Sequence, residues 1–402
     1  MHLPVYRQLP SRGLSRALAA GIMLLFPTAL PGQHDRPTVT FSAQAIPVLR
    51  HHDPIPGRRA LDELRVVQPL ARLHATSGPL RLHATLNLEG LTIPNGELTL
   101  GAWGEGFVDR RHPHTYLHEL MLTAGGRVGG LSASLSAGKG FVPFGTDDPM
   151  LRPPLSYPAN HHLSQILERA LVVLALRAGP VTLEGSVFNG DEPDAPDAWP
   201  RLSRFGDSWA ARITVVPAPA WESQVSHARV ASPEHAGGAG LDHAKWSASV
   251  RWRECLAEWA RTSEGDGTFV FHSILIEAGA ALGRHYPYAR FERTERPEEE
   301  RISAFRSWRP LRDNTILGKS RWTIWTAGYR RRLKDAGALH LEPFVEASLG
   351  RVAALGGGVF DPDVYYGGRT FAAAAAGVRL SLGAHHRRMG RYGVASPTTH
   401  EH

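Results

Sequence analysis

The sequence predicts an all-β fold: a transmembrane antiparallel β-barrel of about sixteen strands, with short periplasmic turns and long extracellular loops. Three observations carry that prediction. An export-type leader stands at the N-terminus, apolar and polar residues alternate at period two along most of the chain, and the links between alternating segments largely take turns being short and long.

In the leader, Arg7, Arg12 and Arg16 precede or open onto an apolar run, Ala17 to Phe26, and no acidic residue occurs before Asp35. Small and turn-forming residues follow, from Pro27 to Gln33. That order is the secretory pattern, and the run is too short to cross a bilayer as a helix, which takes roughly 20 residues. Residues 1–33 are therefore expected to be a signal peptide that sends the chain toward the bacterial outer membrane. Every later apolar run is interrupted by charge or glycine. Such an exported chain spans lipid only as a closed barrel, where each backbone N–H and C=O finds a partner within the wall.

Residues 34–65 carry little pattern and several Pro and His. They are expected to form a periplasmic N-terminal tail, with one short turn of helix around Ala60 to Leu64.

From about Val66 the period-two signal of a strand between two different solvents takes over. In Leu80 to Glu89 the leucines and Ala84 fall on one face, while Arg81, His83, Thr85, Asn87 and Glu89 fall on the other. Ala244, Trp246, Ala248, Val250 and Trp252 likewise oppose Lys245, Ser247, Ser249 and Arg251. Trp209, Ala211, Ile213 and Val215 oppose Ser208, Arg212 and Thr214, and Val181, Leu183 and Val187 oppose Thr182, Glu184 and Ser186.

Candidate strands fall near 66–76, 80–90, 97–108, 115–125, 128–140, 168–178, 180–189, 207–217, 220–231, 243–253, 255–263, 268–283, 285–294, 320–334, 337–351 and 370–384. Fourteen is the nearest alternative count. Tight links at Gly126-Arg127, Gly179, Val216 to Pro219, Glu254, Arg284 and Asp335-Ala336 alternate with longer ones at 109–114, 141–167, 190–206, 232–242, 295–319 and 352–369. A β-sandwich shows the same periodicity but has no reason to sort its loops by end; a membrane barrel does. Ala372 to Ala376 has high helix propensity, and it reads as a strand from its position and the alternation of Val378, Leu380 and Leu382. Residues 66–384 thus form the expected barrel and 385–402 a C-terminal tail, without an aromatic residue closing the last strand.

Composition agrees. A single cysteine, Cys255, excludes an intrachain disulfide. Hydrophobic residues make up 42% of the chain, yet mean hydropathy is −0.23, as in a barrel whose inward polar residues cancel the outward apolar ones. The formal charge of +7 falls to +4 without the three leader arginines. No Lys/Arg run lies beside a nucleic-acid-binding motif, so no nucleic-acid partner is expected.

Asp109 to His114 (DRRHPH), followed by His118-Glu119, is the densest polar cluster. His112, His114, His118 and Glu119 are candidate transition-metal ligands, although the metalloprotease HExxH spacing is missing, since position 122 is Leu. A hydrogen-bonded loop packed in the barrel mouth is the plainer alternative. The segment 141–167 is the longest interior link. In large porins such a loop folds into the lumen and sets selectivity with charged residues, which makes Asp147, Asp148, His161 and His162 candidate pore-lining residues. On the strands, Arg81, Glu89, Glu184, Arg212, Lys245 and Arg251 are the corresponding candidates. Asn189 to Asp197 is acidic but does not follow the twelve-residue calcium-loop pattern. There is no G-x-S-x-G elbow, Walker loop or dinucleotide fingerprint, so no catalytic residue and no cofactor is expected.

Three strings, Asp109 to His114 (DRRHPH), Gly140 to Gly145 (GFVPFG) and Leu183 to Pro193 (LEGSVFNGDEP), resemble a family of porin-like outer-membrane barrel proteins. The resemblance covers roughly residues 97–195. It implies an outer-membrane barrel and points to the region of His112, His114 and Glu192 as the functional mouth, without supplying a substrate.

The expected function is passage of small polar or ionic solutes, with 141–167 narrowing the lumen. A metal-binding or receptor barrel using the His/Glu cluster is the alternative, and an outer-membrane hydrolase the third. Expected partners are the solutes, outer-membrane lipid, the barrel-assembly machinery and further copies of the chain in a homo-oligomer.

Overall fold

The computed structural model describes residues 37–55, 59–92, 114–146, 152–193, 196–233, 238–299, 316–333, 337–383 and 388–395. The leader expected at 1–33 lies outside them.

Sixteen strands form the wall: β1 Thr38–Ile55, β2 Arg59–Ser77, β3 Leu80–Asn87, β4 Leu117–Val128, β5 Leu131–Gly140, β6 Arg169–Ala178, β7 Val181–Phe188, β8 Ser208–Ala218, β9 Trp221–Val230, β10 His243–Trp252, β11 Cys255–Glu264, β12 Phe269–Gly279, β13 His285–Glu299, β14 Ile316–Arg331, β15 Leu339–Ala354 and β16 Thr370–Gly383. Each pairs antiparallel with its sequence neighbours, and β1 pairs with β16 to close the barrel. Closure leaves no row of unpaired backbone groups, which is what lets a sheet sit in hydrocarbon.

The links sort by end. Those at 78–79, 129–130, 179–180, 219–220, 253–254, 280–284 and 332–338 lie at one end of the barrel. Gly129 (φ 58°) and Gly179 (φ 54°) supply the left-handed backbone that two of these turns require. The opposite end carries the described parts of the long links 141–168, 189–207, 231–242 and 355–369, together with a short one at 265–268.

The strand count agrees with the sequence, but the reading of residues 34–65 does not. Residues 34–65 are not a tail: β1 runs through them and pairs with both β2 and β16, and the helical turn expected at 60–64 belongs to β2. In β1 the inward series is Gln44, Ile46, Val48, Arg50 and His52, and Val39, Phe41 and Leu49 are exposed on the other face. Apolar residues on both faces, with Pro47 at mid-strand, erase the period-two signal. The strand expected at 97–108 lies outside the described residues; β3 pairs directly with β4.

Elsewhere the alternation is realised. Leu122, Ile213, Val225, Val250, Ile276, Val345 and Leu349 are exposed on the outer surface, as lipid-facing side chains must be. Trp221 and Trp252 sit opposite each other at the short-turn ends of β9 and β10, ring centroids 6.1 Å apart. Toward the other end His227 lies between Trp209 and Trp246, at 5.3 and 4.1 Å. Amphipathic rings at two heights are the interface girdles of a membrane barrel. Among the described residues no helix is long and apolar enough to cross a membrane.

On the inner face, glycines leave room for rings to lie flat on the wall. Tyr288 covers Gly328 across the β13–β14 pair, and Phe371 covers Gly350 across β15–β16; a Cβ at either glycine would stand 2.2 Å from the ring.

Candidate functional site

The functional surface of such a barrel is its lumen, and two segments from outside the wall lie within it. The first is the link after β5. Its residues Phe141, Val142, Phe144, Leu155, Tyr157, Leu163 and Ile166 are buried, some against inward apolar residues of several strands. Leu155 packs with Ile46, Val48, Val67 and Phe344, Tyr157 packs with Leu70, and Leu163 packs with Ala260 and Phe271. The link therefore reaches strands on the far side of the barrel.

Three glutamates hold it there. Glu346 on β15 accepts from the backbone N–H groups of Leu155 (2.9 Å) and Ser156 (3.3 Å) and from the Ser156 hydroxyl. Glu292 on β13 accepts from the Ala159 N–H at 2.6 Å. Glu258 on β11 accepts from the Asn160 amide at 2.8 Å, from Thr146 Oγ1 and from Arg152 at 3.3 Å. In return Arg290 donates to the Ser156 carbonyl at 2.6 Å. Carboxylates that meet backbone N–H groups form short charge-assisted bonds, roughly twice as strong as neutral ones. These anchors were not singled out in the sequence, although alternation along β11, β13 and β15 would have turned them inward.

The second segment follows β16. Residues 388–395 fold back into the short-turn half of the lumen, where Met389, Arg391 and Tyr392 are buried. Arg388 forks onto Glu222, and Arg391 donates to Thr214 (2.8 Å) and Glu222 (3.1 Å). The Tyr392 hydroxyl donates to Glu119 at 2.7 Å and accepts from the Phe141 N–H at 2.9 Å. Burial, followed by the Glu119 charge, holds the phenol proton well above its ordinary pKa, so the hydroxyl remains a donor. The C-terminal tail expected at 385–402 is thus, over its described residues, an internal element.

Of the strand candidates, Glu184, Arg212 and Lys245 are buried on the inner face, Arg251 continues the same inward series, and Arg81 lines a cleft at the short-turn side with His74, His83, Glu119 and Arg391. Glu89 has left the strand for a short helix, Glu89–Thr92, and caps the Gln68 N–H at 2.7 Å. Asp147 and Asp148 lie outside the described residues. His161 and His162 open a short helix, His161–Ser164, within the internal link.

The His/Glu cluster is brought into the lumen by a register shift between β3 and β4 at Thr85/Leu86. That irregularity turns the consecutive residues His118 and Glu119 inward together. The His114 and His118 rings touch, centroids 5.0 Å apart, but they bond different carboxylates. His114 bonds Glu89 at 2.8 Å, His118 bonds Glu168, and Glu119 bonds His83 at 3.1 Å and Thr85 at 3.0 Å. Among the described residues no group of three His, Cys, Asp or Glu is placed to hold a metal ion, and His112 lies outside them. Each imidazole instead serves its own carboxylate, and Glu168 also takes the Thr115 N–H at 3.1 and 3.2 Å. Burial pushes the Glu168 carboxyl up, but the charges of His118 and Lys139 outweigh it and hold it below its ordinary value.

In shape the chain is similar to an anion-selective porin from Comamonas acidovorans. That match covers 86% of this chain and 100% of the porin at 12% identity, with a TM-score of 0.50. OmpT, an outer membrane protein of Vibrio cholerae, aligns over 87% of this chain and 99% of its own at 10% identity, with a TM-score of 0.48. OpdO of Pseudomonas aeruginosa aligns over 86% and 98% at 13% identity, with a TM-score of 0.39. No protein-family model matches the sequence, and no curated protein does. At 12% identity the likeness to the Comamonas protein is one of fold: a closed sixteen-stranded porin-type barrel.

Proposed function

We propose that this barrel is an outer-membrane channel for small polar solutes, and that the link 141–167 narrows its path. The observation that carries this reading is an internal segment anchored across a charged lumen by Glu258, Glu292 and Glu346. A solute crossing the wall from end to end would pass between that segment and the inner face. The inner face mixes signs: Arg212, Lys245 and Arg290 stand among Glu184, Glu258 and Glu277. Such a lining replaces part of the hydration of a polar solute of either charge, so the substrate class is small hydrophilic molecules and ions.

Planar-bilayer recording of purified, folded protein tests it. Discrete ionic steps are expected, with a size and noise that change when Glu258 and Glu346 become Gln, and an ion preference that changes in Asp147→Asn/Asp148→Asn. A folded, heat-modifiable barrel that gives no steps, whether as the full chain or terminated after Gly383, overturns the reading.

A further inference from the structure

The segment 388–395 meets the wall residue by residue. Glu222 takes the Arg388 fork and, with Thr214, the Arg391 guanidinium, while Glu184 stands 3.6 Å from Arg391. Glu119 takes the Tyr392 hydroxyl. The backbone is read as well: Arg212 donates to the Gly390 carbonyl at 2.9 Å, Arg81 to the Gly393 carbonyl at 3.4 Å, and the Val394 N–H donates to Ser134 Oγ at 2.9 Å. Two positions favour glycine. Gly393 has φ 56°, and a Cβ there would lie 2.0 Å from Ser134 Oγ; Gly390 has φ 70° with Phe141 at 3.2 Å.

Such complementarity is that of a bound peptide in its site. The charges are opposite and paired, an aromatic hydroxyl is satisfied twice, and backbone carbonyls are taken by arginines of the wall. We propose that the short-turn half of the lumen is a peptide-binding site for a chain bearing two arginines three residues apart followed by a tyrosine. The protein's own 388–395 segment is its resident, displaceable occupant and acts as a plug. The plug and the internal link are coupled. Arg212 donates to both Gly145 and Gly390 carbonyls, and Tyr392 bonds the Phe141 N–H, so loss of the plug also removes restraints on the link. The plugging role rests on the channel reading above; the peptide site does not.

The experiment compares the full chain with a chain terminated after Gly383, using a synthetic peptide of sequence RMGRYGVA. In bilayers the truncated barrel is expected to conduct in larger steps than the full chain, and the peptide, added from the short-turn side, to block it. In detergent, the fluorescein-labelled peptide is expected to bind the truncated barrel by anisotropy. Binding should weaken at least about tenfold in Glu222→Gln, which removes the carboxylate that meets both arginines, and likewise when both peptide arginines become Gln. If truncation prevents folding, the full-length Arg388→Gln/Arg391→Gln/Tyr392→Phe variant serves instead, with the same expected rise in conductance and gain in peptide binding. Equal conductance of plugged and unplugged chains overturns the plug. Equal binding of the native and the arginine-free peptide, or no binding, overturns the site. Specific peptide binding with no ionic steps from any chain overturns the channel reading alone and leaves the site standing.

Discussion

Arg212 and Glu184 face each other across β8 and β7 and close a two-point fork, Nε to one carboxylate oxygen at 2.7 Å and Nη2 to the other at 2.8 Å. Both are buried, with Arg212 2% exposed. The remaining donors of the same guanidinium reach the Gly145 carbonyl at 3.2 Å and the Gly390 carbonyl at 2.9 Å. One side chain thus joins the wall to both internal segments.

Removing half of that fork should be costly. Glu184→Gln leaves a buried guanidinium short of its counter-charge, and breaking a buried pair costs about 3–5 kcal/mol. Urea unfolding in micelles should show the loss, whereas Arg212→Met/Glu184→Met together should lose much less. Equal losses in the single and double variants would mean that the fork contributes nothing beyond packing.

Glu346 supplies both oxygens to the backbone at Leu155 and Ser156. Glu346→Ala strands those N–H groups, a cost of about 1–3 kcal/mol for each buried donor left unmade. Hydrogen exchange at Leu155 and Ser156 should speed up while exchange in the wall strands is unchanged.

The Glu168 carboxyl gives a pH dependence. Its folded pKa lies below the ordinary value of 4.5. Its contribution is therefore complete above that ordinary value and is lost as the pH falls through the lower folded one. Protease sensitivity of the 141–167 link should be flat from neutrality down to about pH 5 and rise only on further acidification. In Glu168→Gln it should be high and flat across the same range. A rise centred near neutrality would assign the effect to a histidine instead.

Zinc titration separates the hydrogen-bonded cluster from a metal centre. His114 and His118 each spend a ring nitrogen on a separate glutamate, so no saturable zinc binding is expected, and His114→Ala should leave any residual uptake unchanged. Tight binding abolished by His114→Ala and His118→Ala would overturn this.

Much of the wall was legible because it obeys one rule. In β3 and β10 the outward series is apolar and the inward one polar, so the chain announces both faces. That rule failed where the lumen is not wet. Ile46 and Val48 of β1 turn inward to meet Leu155, an apolar contact created by a segment more than a hundred residues away in sequence, and local periodicity carries no trace of it. The loop anchors were hidden for a related reason: Glu258 and Glu346 look like any inward carboxylates until the partner segment is placed. The spacing of Arg388, Arg391 and Tyr392 was visible, but nothing in it says that the chain turns back inside the wall.

The seam between β1 and β16 has a consequence for the order of events during assembly. Its two strands pair through Leu49–Ala376, Arg50–Ala375 and His51–Ala374, so the first wall strand must wait for the last before either is fully bonded. Until that zipping is complete the ring is open and its interior is continuous with the surroundings. The chamber that residues 388–395 occupy is therefore whole only once this seam is joined, and a chain unable to close it would have no such chamber.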